Sequence, residues 1–301
     1  MALFVVVGAG PVGRETARLL CDEGHEVRLV SRRRTELAGT KVKSVALDAS
    51  HGAALAEVSR GAEAIFMCAM APYHRWPTDF PPIVNGTVEA AEQVGARLLI
   101  AGNVYAYGEL ARSPLTPLSA LEPTSVKGRV RVAMWERALA SSVPAIEVRA
   151  SDYLGNGAGS LFTLMALPSL LAGEEVSFPG DLDVLHAWSF TRDVARTLVA
   201  AARYSGEWRR AFHVPSQHAS ARDIASRFAI ANGSGAPRLR ALSRDEMIAL
   251  ARGDEILREV VEMYYLYEKP YVFDASDTER LLGVSASSLD TMIGDTLQDA
   301  G

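Results

Sequence analysis

Cysteine is scarce in this chain: Cys21 and Cys68 are the only two among 301 residues. So few thiols exclude a disulfide framework, and both read as structural residues of a protein in a reducing, cytoplasmic compartment. No apolar run reaches the roughly 20 residues that a bilayer-spanning helix needs. The apolar N-terminus has no basic stretch before it and no small-residue cleavage site behind it, so neither a membrane partner nor a secretory leader is expected. Positive charge is short as well. The net charge is −5, and the arginine runs at 32–34 and 209–210 are brief, which makes nucleic acid an unexpected partner. His51, His213 and His218 stand at no metal-ligand spacing with cysteines or carboxylates, and no Gly-x-Ser-x-Gly, paired-carboxylate or Cys/His nucleophile pattern is present. No metal is expected. Repeats and low-complexity tracts are missing too, which removes solenoids and tethered domains.

What remains is a hydrophobic content of 49%, enough for one large or two modest domains with a real core. The most informative segment is the first, where Leu3-Phe4-Val5-Val6-Val7 runs into Gly8-Ala9-Gly10-Pro11-Val12-Gly13 and a helix-like stretch to Leu20. A strand, G-x-G-x-x-G and a helix, in that order, make a dinucleotide-binding turn. Gly8 permits the bend, Gly10 lets backbone approach a pyrophosphate, Gly13 lets helix pack on strand, and the amides of the helix start meet the phosphates. Pro11 and Val12 belong to the same turn. A glycine turn without a ligand is the plainer alternative, and the five apolar residues directly before it favour the cofactor.

Strand-like segments follow at 26–30, 42–47, 64–68, 97–101 and 144–149, separated by helix-like ones. The spacing predicts helices over 51–60, over 83–95 after Pro82, and over 125–142, where Val126, Val130, Met134 and Ala138 share a stripe. This alternation predicts an α/β chain with a Rossmann-like, doubly wound parallel sheet over residues 1–150. Past Arg149 the pattern loosens into a Gly-rich turn at 155–159 and a polar loop at 173–183 around a short apolar run at 176–178. Helices are expected at 192–204, 220–232 and 243–267, before Tyr271-Val-Phe-Asp274 and a helix-like tail. The second half, 151–301, reads as a smaller, mixed, substrate-covering domain with 184–204 packing back on the first.

Further segments keep a familiar order: Asp48 after the third strand, Asn85-Gly86-Thr87 before Glu89-Ala-Ala-Glu92, Tyr107-Gly108 after the fifth strand, Arg149-Ala-Ser-Asp152-Tyr153-Leu-Gly155, and Phe190-Thr-Arg-Asp193-Val-Ala195. Through them the chain resembles an atypical member of the extended short-chain dehydrogenase/reductase superfamily, the NAD-dependent epimerase/dehydratase family. The resemblance covers nearly the whole chain and breaks at the catalytic positions. Typical members carry Ser or Thr five residues before the Gly of Tyr-Gly, and here that residue is Asn103. They carry Tyr-x-x-x-Lys at the next helix start, where this chain has Lys127-Gly-Arg-Val-Arg131. The standard proton donor is absent.

Cofactor choice is read where the second strand ends. An acidic residue there would take the ribose 2′-hydroxyl of NAD, but the chain carries Ser31 and Arg32. A guanidinium fork matches a 2′-phosphate bidentately, so NADP is expected over NAD. A solvated loop tip is the plainer account of the arginine run, and the phosphate role is assigned to Arg32 alone. The resemblance places Asp48 near the adenine amino group, where a simple turn residue serves equally well, and Ala69, after the fourth strand, joins the cofactor set. Lys127 and Arg131 are four apart and share a helix face. The expectation is that Arg131 takes the ribose contact while Lys127 faces substrate as an acid/base candidate; a pair of solvated cations is the alternative. Asn103 is suited to polarising a carbonyl, and Tyr105 is either a core aromatic or the replacement proton donor. Tyr73 and Trp76, with His74, offer an aromatic wall for substrate or a packed loop. Asp152 and Tyr153 match family positions that line the substrate cleft. His186 reads as a satisfied surface or core residue, and Tyr264, Tyr265 and Tyr267 as packing along a helical stripe. The expected activity is an NADP-dependent oxidoreductase on a small carbonyl or hydroxyl substrate. The alternatives are an NADP-binding sensor without turnover and a non-redox isomerase or cyclase. A homodimer through two helices of the nucleotide domain is expected by family analogy.

Overall fold

A computed structural model describes residues 1–298. The first half alternates strand and helix: β1 (Leu3–Val7), α1 (Pro11–Asp22), β2 (Glu26–Ser31), β3 (Lys43–Ala46), α2 (Gly52–Ser59), β4 (Ala62–Met67), α3 (Trp76–Val94), β5 (Arg97–Asn103), α4 (Val126–Leu139) and β6 (Ala145–Ala150). The second half holds β7 (Asp152–Leu154), α5 (Leu167–Leu171), β8 (Val176–Pro179), β9 (His186–Phe190), α6 (Thr191–Ala202), β10 (Arg210–His213), β11 (Gln217–Ala219), α7 (Ala221–Ala231) and β12 (Leu239–Leu242). The chain ends in α8 (Arg244–Leu250), α9 (Glu255–Val261), α10 (Ser276–Leu282) and α11 (Leu289–Leu297).

Seven strands form one parallel sheet in the order β10-β6-β5-β4-β1-β2-β3. This is the doubly wound α/β arrangement. Its central strands are apolar throughout, with Val5, Val6, Ile65 and Phe66 fully buried, because helices cover both faces. β1 lies between β2 and β4, so the winding reverses there, and a crevice opens beyond the carboxyl ends of the strands at that point. The chain recrosses residue 150 in both directions. Val194, Leu198 and Phe212 join the core of this layer, while Val104, Tyr107 and Leu115 join the core of the smaller layer with Phe162, Trp188 and Phe228. The smaller layer carries a three-stranded sheet, β11-β9-β7, and a parallel pair, β12-β8.

Several elements depart from the sequence expectation. α3 starts at Trp76 rather than after Pro82, with Pro81 and Pro82 inside it. Trp76, Phe80 and Val84 recur every four residues and are all buried, so the apolar stripe continues through the prolines. On α4 the buried stripe is not Val126 and Val130. Val126 is 40% exposed, and Lys127, Arg131, Met134 and Ala138 face inward. The expected helix over 243–267 is broken: Gly253 and Asp254 separate α8 from α9, Asp254 recapping the chain through the amides of Ile256 and Leu257, and Tyr264–Tyr267 is a 3-10 turn. The loop at 173–183 contains β8, paired in parallel with β12.

Candidate active site

The glycine turn is built as its spacing requires. Gly8 donates to Val30 at 2.8 Å and holds φ +106°, and a side chain on it would collide with the backbone of Ala69. A Cβ on Gly13 would overlap the carbonyl oxygen of Gly8, whereas one on Gly10 would point into open space. Gly10 also caps α1, and among the described residues no side chain satisfies that helix start. Its free amides and the clearance over Gly10 suit a pyrophosphate, so the residues present fit a dinucleotide. Beside the turn runs a cleft of about 250 Å³ whose walls include Gly8, Gly10, Ser31, Arg32, Asp48 and Ala69. Pro11, Val12 and Gly13 form the first turn of α1 next to it. Arg32 is exposed, and the Ser31 hydroxyl donates to the carbonyl of Arg33. Asp48 accepts from the Ser50 amide at 2.9 Å, which holds its carboxyl below the usual range. It is a turn residue and a cleft residue at once.

The walls of the cleft end at Met70, Ala71 and Pro72 and at Asp79 and Ile83 of α3, and directly after Pro72 come the 3-10 turn Tyr73–Arg75 and the start of α3. There the structure gathers most of the expected substrate-side residues. Asn103 ends β5 and accepts from the amide of Tyr105 at 3.2 Å, which leaves the NH₂ side of its amide as a donor. The Tyr73 hydroxyl donates to that of Tyr105 at 3.4 Å. Arg131 is 2% exposed and lies against the rings of Trp76 at 4.6 Å and Phe80 at 4.9 Å. It donates to the carbonyl of Ala101 at 3.2 Å, but its Nε has no hydrogen-bond partner, and no carboxylate pairs with it among the described residues. Burial lowers its pKa, while Tyr153, Glu147 and Tyr105 nearby pull the other way. Trp76 is thus a floor under Arg131 more than a wall open to substrate. Lys127 is not the open group facing substrate that the sequence suggests. It is fully buried and its ammonium is held by Glu259 and, at 3.0 Å, by Glu262.

Asp152 and Tyr153 come from β7, at the far side of the phenols. Asp152 accepts from the Tyr267 hydroxyl at 2.7 Å and lies 3.0 Å from His186 Nε2. Sequence reasoning missed both partners: His186 was set aside as a satisfied residue and Tyr267 as packing. The register of β7 on β9, Asp152 opposite Trp188, sets His186 two residues along the same strand, and no linear spacing reports that. Glu259 and Glu262 were missed for the same reason. Burial, then the Asp152 charge, raises the phenol of Tyr105, while Arg131 and the hydrogen bond from Tyr73 pull it down. Burial pushes Tyr153 up to about 12 and Tyr73 well above its ordinary value. These phenols stay protonated near neutral pH, and Tyr73 spends its proton on Tyr105. Tyr105 stands between a cation and an anion with its own proton uncommitted among the described hydrogen bonds.

The sequence matches the NAD dependent epimerase/dehydratase family over residues 4–214, more than half of the chain. The chain belongs to this family. Solved structures of the same fold include the Bordetella bronchiseptica enzyme WbmH in complex with NAD+, at TM-score 0.79 and 16% identity over 99% of this chain and 98% of that one. The UDP-glucuronic acid 4-epimerase of Bacillus cereus in complex with NAD aligns at TM-score 0.79 and 14% identity, covering 99% and 98%. A dTDP-glucose 4,6-dehydratase double mutant from Streptomyces venezuelae, with NAD bound, aligns at 0.78 and 19%, covering 99% and 96%. Comparison with curated proteins finds no match. This member of the NAD dependent epimerase/dehydratase family therefore keeps the fold, with a glycine-turn cleft that fits a dinucleotide.

Proposed function

We propose that the chain is an NADP-dependent oxidoreductase acting on a small carbonyl or hydroxyl substrate, with Tyr105 in place of the missing family tyrosine. The observation that carries the cofactor choice is the end of β2, where Ser31 and Arg32 line the dinucleotide cleft in the place at which an acidic residue would claim a ribose 2′-hydroxyl. When bound, the dinucleotide supplies the hydride. The chain's own residues then manage the proton and the orientation. The Asn103 amide donates to the substrate oxygen, and Tyr105 delivers the proton that turns carbonyl and hydride into hydroxyl. Arg131 steadies the phenolate left behind, and Tyr73 holds the phenol oxygen in place.

Titration of the purified protein tests the cofactor. A charge-assisted phosphate contact contributes about 1.5–3 kcal/mol, so NADPH is expected to bind roughly ten- to hundredfold more tightly than NADH. Arg32→Glu removes the fork and repels the phosphate, and the preference should invert. Equal affinities in the wild type overturn the assignment. Tyr105→Phe tests the acid separately: NADPH affinity is retained and substrate-dependent NADPH consumption falls by about 10²–10⁴. Unchanged turnover removes Tyr105 from the chemistry. One observation favours a second reading, an NADP-binding sensor: at the family's tyrosine position the chain has a lysine already gathered by two carboxylates. A sensor distinguishes NADP⁺ from NADPH in affinity and consumes neither, whichever carbonyl compound is supplied.

A further inference from the structure

Lys127 stands where the family carries its tyrosine, and its surroundings give it a different task. Its side chain is fully buried, while its partners Glu259 and Glu262 keep 30% and 24% of theirs exposed. Glu262 also accepts from the backbone amides of Val126 at 2.8 Å and Lys127 at 3.2 Å, so it caps α4 in addition to the Ser125 hydroxyl. Both acids belong to one short stretch, α9 and the residue after it. That stretch is a satellite of the fold: Leu242, Met247, Val260 and Tyr264 make a small apolar cluster apart from the three larger ones, and Ile248, Leu250 and Ile256 remain exposed. Its ties to the nucleotide layer include the pair on Lys127 and Glu255, 4.0 Å from His74. Beyond it the chain is anchored: Met263, Tyr265, Leu266 and Tyr267 are set in the larger core, and Tyr267 donates to Asp152.

We propose that residues 243–262, up to Met263 at the edge of the larger core, form a lid over the proposed substrate side, and that Lys127 is the positioning residue that latches it. Two of its three N–H donors meet the carboxylates, and its ammonium sits 4.4 Å over the ring of Tyr73, whose hydroxyl donates to Tyr105. The closed lid therefore fixes Tyr73 against the proposed acid. Opening returns two half-wet carboxylates to water and leaves the larger cores untouched, so the movement is local. The idea rests on the reading of Tyr105 and the cleft as the active site, and the test keeps the two apart. Hydrogen exchange on the full chain is compared for wild type, Lys127→Met, the double variant Glu259→Gln/Glu262→Gln, and Lys127→Arg. Amides at 254–262 should exchange at least roughly tenfold faster in the first two variants, regain protection in Lys127→Arg, and leave the sheet unchanged, as a local opening requires. With substrate, Lys127→Met should raise KM more than it lowers kcat. Unchanged exchange at 254–262 in both disrupted variants overturns the latch, and so does acceleration spread evenly through the sheet. A protein that binds no dinucleotide loses the functional reading while the exchange result still decides the latch.

Discussion

His213 shows at the scale of one residue how distant side chains set a proton. Glu147 holds Arg149 at 2.7 Å, Arg149 donates to the Tyr107 hydroxyl at 2.7 Å, and Tyr107 lies 2.6 Å from His213 Nε2. The other ring nitrogen, Nδ1, lies 2.9 Å from the carbonyl of Asp274. With its oxygen taken by Arg149, Tyr107 sends its proton to Nε2, so Nδ1 carries the ring proton and the imidazole is neutral. Burial, helped by the Arg149 charge, lowers the ring to about 3 from an ordinary 6.5. The sign follows from linkage. Below about 6.5 the unfolded chain takes up a proton that the folded one refuses, so stability is full above that pH and falls as pH drops toward 3. Between pH 7 and pH 5 this one group removes about 2 kcal/mol. Urea unfolding at the two pH values measures it, and His213→Gln should lose that part of the pH dependence; an unchanged slope shows that His213 is already charged in the folded state. None of this relay was legible in the sequence, since Tyr107 and His213 lie 106 residues apart. The glycine turn was legible to the residue, because its chemistry is local.

Elements were legible where one local rule acted and illegible where packing outweighed it. β1 agrees with its apolar run residue for residue. The start of α3 does not, because a proline rule competes with a burial term. Two interior prolines cost a helix about 6 kcal/mol together. Burying Trp76 and Phe80, at roughly 150–250 Å² and 25 cal/mol per Å² each, returns about 4–6 kcal/mol apiece as an upper estimate. The aromatics win, and they win because α4 brings Arg131 against their faces. The same contact explains why the stripe on α4 was misread. A periodicity of apolar residues points inward only when no charged residue has a better use for the interior. Here Lys127 and Arg131 do, through partners on α9 and α3 that sequence spacing does not reveal.

At the scale of the whole molecule, the two cores are threaded by the same backbone. Residues 104–121 leave the nucleotide sheet to pack in the smaller layer, where the Leu115 amide donates to the carbonyl of Val272 and its carbonyl accepts from the amide of Asp274. In return α6 packs against α1, and β10 pairs with β6 at the sheet edge. Neither core is complete in one half of the chain. Had residues 1–150 formed a self-sufficient unit, heat would unfold the protein in two steps, with dinucleotide shifting only the first. The interleaving argues for a single transition that the proposed dinucleotide moves as a whole. At about 100 times its Kd, the ligand adds about 2.7 kcal/mol to the folded state. Calorimetry should show one endotherm that shifts upward intact, with tryptophan fluorescence and far-ultraviolet circular dichroism melting together. Trp76 sits in the nucleotide layer and Trp188 in the smaller one, so the fluorescence reports both cores. A second, NADPH-insensitive endotherm would show that the crossings at 104–121 and 191–214 do not couple the layers. A fragment ending at residue 150 gives the complementary result: it lacks α6 and β10, leaves Ala17, Leu20 and Val148 uncovered, and is expected not to fold.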